Sequence, residues 1–143
     1  MRRMTFKDLQ AKNADATGFK GINFDTGLEH GQTYFHVDVD RANEPPAELV
    51  ELIETMMNRM IEEYELSVEA LMDDNIIAEC LLGVKAIDAS TSDLCLTVYF
   101  VDTVDTYYKV DKTIEPDSEI YQVVKDYFTA EVMAYIFKRK EVD

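Results

Sequence analysis

The hydrophobic period of this chain changes at a pair of prolines, and that change limits its fold class more than any other feature. Before Pro45 and Pro46, residues 34–40 (YFHVDVD) alternate. Phe35, Val37 and Val39 are apolar, and His36, Asp38 and Asp40 are polar. A period of two sends each set to one face of a β-strand. After the prolines, Leu49, Leu52, Ile53, Met56, Met57, Met60, Ile61 and Tyr64 recur at intervals of three and four. That is the period of a helix with one buried stripe. Proline cannot donate to a sheet ladder but fits the first turn of a helix, so the switch falls where backbone chemistry permits it. Strand and helix therefore coexist in one chain of 143 residues, a length suited to a single domain over residues 1–143.

The same signals recur on both sides. Residues 5–13 read as a short helix or an irregular arm. Residues 19–25 (FKGINFD) read as a strand that forms a hairpin with 34–40 through the polar loop 26–33. Ser67 is an expected N-cap for a second helix with the stripe Val68, Leu71, Met72, Ile76, Cys80 and Leu81, stopped by Gly83. One bent helix over 46–82 fits the pattern equally. Residues 94–101 (LCLTVYFV) are apolar on both faces, which predicts an interior strand, and 107–112 returns beside it. The last helix is expected over 119–140. Its end carries Lys138, Arg139 and Lys140, where a helix dipole favours cations. The expected order is ββα(α)ββα. This is an α+β fold: a four-stranded, mainly antiparallel sheet with helices packed on one face.

Charge narrows the function. The chain has 29 acidic and 14 basic residues, a formal net charge of −15. Residues 36–79 hold 13 of the acids against only Arg41 and Arg59. Such a field repels phosphate backbones and anionic lipid, so no direct nucleic-acid or membrane binding is expected. No apolar run is long enough to cross a bilayer, and no apolar stretch follows Arg2 and Arg3 as a secretory signal requires. Cys80 and Cys95 match no metal or redox spacing and read as buried free thiols of a cytoplasmic protein.

No sequence motif for phosphate binding, nucleophilic catalysis or zinc hydrolysis occurs. His36, Asp38 and Asp40 carry ligand-type side chains on one strand face. Alternate strand residues stand ~7 Å apart, too far for one ion without ligands from a neighbour such as Asp25 or His30. They are expected to be the wet side of the sheet, with no metal and no cofactor. Glu62/Glu63 and Asp73/Asp74 read as solvated charge, and the methionines at 56, 57, 60 and 72 as core. On the sheet face away from the helices, Tyr34, His36, Thr97, Tyr99, Val101, Tyr107 and Lys109 are expected together.

The leading expectation is a non-enzymatic interaction protein. Glu48, Glu51, Glu54, Glu62, Glu65, Glu69, Asp73 and Asp74 would form a negative ridge that meets a basic protein surface, such as the groove of a nucleic-acid enzyme. Small acidic inhibitors encoded by mobile elements, of the anti-restriction or anti-CRISPR type, supply the charge analogy. The alternative is a structural component, for instance of a phage particle, that self-associates through Tyr34, Tyr99, Val101 and Tyr107, most simply as a homodimer. A third class is a small metal-dependent enzyme built on His36, Asp38 and Asp40.

Overall fold

A computed structural model describes residues 2–12, 22–23, 35–40, 44–86, 92–102 and 107–142, with side chains throughout except at 22, 23, 35, 85, 86, 92, 102 and 135–142. The elements run α1 (Phe6–Lys12), β1 (Ile22–Asn23), β2 (Phe35–Asp38), α2 (Ala47–Glu63), α3 (Val68–Leu71), β3 (Ile76–Ala86), β4 (Ser92–Asp102), β5 (Tyr107–Ile114) and α4 (Tyr121–Val142). The strands form one antiparallel sheet in the order β1-β2-β3-β4-β5. The α+β class, the antiparallel pairing and the interior place of β4 agree with the sequence. Tyr34, the loop 26–33 and the side chains of Lys138, Arg139 and Lys140 lie outside the described residues.

One element differs. Residues 76–82, read as helix, begin the eleven-residue strand β3, which pairs with β4 along its whole length and with β2 on its other side. The reason is arithmetic. The step from Ile76 to Cys80 is four residues, which is one helical turn and also two strand repeats. Ala78 and Leu82 complete a period of two, and both are buried with Cys80. Gly83 lies mid-strand, paired with His36 and Cys95, rather than at a helix end. Tertiary pairing decides the ambiguity, and the sheet gains its fifth strand.

The even-numbered residues of β3 and β4 make one floor. Ala78, Cys80 and Leu82 face the helices with Leu94, Leu96, Val98 and Phe100, joined by Val37 from β2 and Ile114 from β5. Ile53, Met57 and Ile61 of α2, Phe6 and Leu9 of α1, and Val124 and Phe128 of α4 join the same cluster. The helices therefore cover one face.

The link between α2 and β3 folds back sharply. Glu65 N–H donates to Glu62 O (3.3 Å) and Leu66 N–H to Ile61 O (2.9 Å), the two bonds of a Schellman end. Glu65 occupies the left-handed position with φ 51°, where glycine is favoured. Ser67 then caps α3, its hydroxyl accepting from Ala70 N–H at 3.4 Å. The side chain at 65 costs ~1–2 kcal/mol in that conformation, partly offset by glycine's greater freedom when unfolded. Glu65→Gly is expected to stabilise the fold by ~0.5–1 kcal/mol, raising Tm by about 2–4 °C in a thermal melt. A lower Tm would show that the carboxylate itself stabilises this turn.

Candidate functional site

Two surfaces collect the residues with chemical potential. The first is the acidic side of α2 and the turn after it. At 100° per residue, Glu48, Glu51 and Glu62 fall within a sector of about 60°. All three are exposed, as are Glu63, Glu65, Glu69, Asp73 and Asp74. Glu54 departs from the ridge. It is half-buried, and its Oε2 accepts from the Phe6 N–H at the start of α1 (2.8 Å). Cations from the N-terminal segment also reach the far end. Arg2 Nη2 meets Asp8 Oδ1 at 2.8 Å, its Nη1 lies 4.0 Å from Glu69 Oε1, and Lys12 Nζ donates to Asp73 O at 3.0 Å. Sequence distance hides these contacts, which fold residues 2–12 onto the acidic turn. Glu69 is held below the ordinary carboxylate range by its own backbone amide and by the Ser67 hydroxyl, which donates to it at 3.1 Å. The barest stretch of negative charge is thus the outward side of α2.

The second surface is the outer sheet face, where strand register sets four rows. The first is Ile77, Val101 and Tyr107. Ile77 and Tyr107 are 50% and 58% exposed, making this an apolar strip in water. The second is Glu79, Tyr99 and Lys109; Tyr99 Oη donates to Glu79 Oε2 at 2.6 Å. The third is Asp38, Leu81, Thr97 and Asp111. Thr97 Oγ1 donates to Asp111 Oδ1 at 2.6 Å, and Lys109 Nζ sits 3.3 Å from Asp111 Oδ2. The fourth is His36, Gly83, Cys95 and Thr113. Tyr99 and Tyr107 stack at a tilt, with centroids 6.1 Å apart. Tyr99, Val101 and Tyr107 do share this face as expected. Ile77 escapes the sequence reading because its segment looks helical.

His36, Asp38 and Asp40 are not wet. They are 6%, 4% and 5% exposed. His36 Nε2 lies 3.4 Å from Asp38 Oδ1, close enough for an ion pair but not aligned as a hydrogen bond. Asp40 Oδ1 accepts from the Cys80 N–H at 3.2 Å. Alternation assigns a face but does not say whether that face meets solvent; here β2 is paired on both edges and buried on both faces. Among the described residues no three His, Cys, Asp or Glu side chains are arranged to hold a metal ion.

Neither cysteine forms a disulfide, and both are buried. Burial, then the charges of Asp40 and Asp38, push the Cys80 thiol well up from its ordinary 9.0. Burial, then the bond to Glu79, raises Tyr99; burial, then Glu131, raises Tyr127, both from an ordinary 10.0. An acid whose folded pKa is raised stabilises the fold fully below its unfolded value and less as pH climbs past it. The urea midpoint is therefore expected to hold to about pH 8.5 and fall above it, with Cys80 alone removing ~1.4 kcal/mol per pH unit beyond the thiol value. Cys80→Ala should delay the fall to the phenol range. A midpoint unchanged to about pH 10.5 contradicts these burials.

No protein-family model, no curated protein and no solved structure matches this chain. Among the described residues no helix is long and apolar enough to cross a membrane.

Proposed function

We propose that this chain is a non-enzymatic interaction protein that docks its acidic side on a basic protein surface. The groove of a nucleic-acid enzyme is the favoured target, as for small acidic inhibitors carried by mobile elements. The observation that carries the reading is the exposed line of Glu48, Glu51 and Glu62 on α2, continued by Glu63 and Glu65, with Arg59 the one cation in that stretch. Like charges so placed cost stability, and a net charge of only ~2–8 keeps a small domain in solution. The excess is accounted for if it steers association. Glu65 adds weight, because an acid stands at a backbone position that favours glycine. The reading is tested by capturing partners from host lysate at low salt. Retention of a basic protein that elutes as salt rises supports it, and retention indifferent to salt counts against it.

A second reading rests on the row Ile77, Val101 and Tyr107. An exposed apolar strip at one end of the outer sheet face suits self-association or assembly. Ile77→Lys is the cleaner probe, since Tyr99 is bonded to Glu79. Light scattering should show a dimer that this variant dissociates. A wild-type monomer at high concentration removes the reading.

A further inference from the structure

Where the α2–β3 link crosses the end of the sheet, it leaves a cleft of about 180 Å³. Leu66, Ala70, Leu71, Ile76, Phe100 and Tyr108 form its walls. Phe100 and Leu71 at 1% and 3% exposure belong to the core, so the cleft opens directly onto the hydrophobic cluster. Tyr64, 55% exposed, extends the wall by resting its ring 5.2 Å from that of Tyr108. Glu65, Glu69, Asp73 and Asp74 are chain neighbours of the lining residues, and all are exposed. Ser67, which also lines the cleft, holds the Glu69 carboxylate in place.

We infer that this cleft receives one apolar side chain, of leucine or phenylalanine size, from a segment of the partner that carries lysine or arginine on both sides of it. The inference rests on the docking function proposed above and names where the partner is anchored. Three observations choose the occupant. The volume suffices: an aliphatic cavity of ~150 Å³ holds a benzene ring. Among the described residues no carboxylate lines the walls, so a guanidinium or ammonium inserted there would lose water without gaining a counter-ion from them. Glu65, Glu69, Asp73 and Asp74, close in sequence to the lining residues and only partly offset by Arg2 and Lys12, repel a fatty acid or another anion and attract basic flanks. An apolar anchor ringed by charge is also how binding energy concentrates at protein interfaces.

The test uses three short synthetic peptides and the methyl resonances of Leu66, Leu71 and Ile76. One peptide has phenylalanine between pairs of lysines, the second replaces phenylalanine with alanine, and the third replaces the lysines with glutamates. The first should shift these methyls and bind ten- to a hundred-fold more tightly than the second, the range expected for burying such a side chain. The third should not bind. Ala70→Leu, at an exposed position on α3, should fill the mouth and erase the difference between the first two peptides while distant methyls stay unchanged. If both lysine peptides bind equally and perturb only α2, the anchor is refuted and charge docking stands. If neither perturbs α2 or the cleft, both fall. Shifts centred on Ile77 and Val101 would move the anchor to the outer sheet face and overturn its placement here.

Discussion

Replacing Asn58 with alanine is expected to lower folding stability by about 3 kcal/mol, far more than a lone polar residue among the methionines of α2 implies. Its side chain is a clamp. Oδ1 accepts from the Met4 N–H at 2.9 Å, while Nδ2 donates to Met4 O at 2.9 Å and to Glu54 O at 2.7 Å. Met4 is fully buried, so its amide and carbonyl have no water to turn to when the amide side chain goes. Leaving a buried polar group without a partner costs ~1–3 kcal/mol. The loss propagates, because Met4 leads into Phe6 and Leu9, which α1 inserts into the core. Asn58→Asp sharpens the test. It keeps an acceptor for Met4 N–H but removes both donors and sets a carboxylate against two carbonyl oxygens, so it should cost at least as much. Urea unfolding gives the loss, and hydrogen exchange should show Met4 and Phe6 deprotected before α2. A loss below ~1 kcal/mol would mean that the N-terminal segment contributes little.

The same clamp bears on charge. It fixes the segment that brings Arg2 towards Glu69 and Lys12 to Asp73. The N-terminal arm therefore tempers the acidic turn, while among the described residues the outward side of α2 sets only Arg59 against its glutamates.

How much of this was legible in the sequence depends on whether the deciding interaction is local. Of the expected stripe, Leu49, Ile53, Met56, Met57, Met60 and Ile61 are buried as their spacing requires, Leu52 is partly buried and Tyr64, past the helix end, is 55% exposed; the Ser67 cap is where a serine before an apolar turn belongs. These rest on contacts within one or two turns. The strand at 76–86 was hidden because Ile76 and Cys80 satisfy both periods, and only its partners β2 and β4 separate them. The burial of His36, Asp38 and Asp40 was hidden for a related reason. A polar set on a strand predicts a face, not its solvent, and Asp40's bond to Cys80 N–H spans 40 residues. Glu54 reads as ridge from its helical position and is turned inward by the Phe6 N–H, 48 residues away. Ile77 became part of an exposed row only through its register with Val101 and Tyr107.

Reversing Glu48, Glu51 and Glu62 to lysine should carry the other large effect. All three are exposed, so the fold should survive, as circular dichroism will report. Glu54 is left alone because it serves α1. Each reversal changes the charge by two units on α2, away from the acidic turn that Arg2 and Lys12 reach. Steering by a charged surface raises association rates by ~10–10³, and screening sets in over a Debye length of ~10 Å at 0.1 M salt. The decisive measurement is the association rate with the captured partner, across a salt series, for the wild-type and triply reversed chains. The account predicts a wild-type rate that falls at least ~10-fold from about 0.05 to 0.5 M salt, and a reversed chain that is ~100-fold slower at low salt and nearly insensitive to it. Equal rates for the two chains, independent of salt, would contradict it and leave the acidic side of α2 as solvated surface alone.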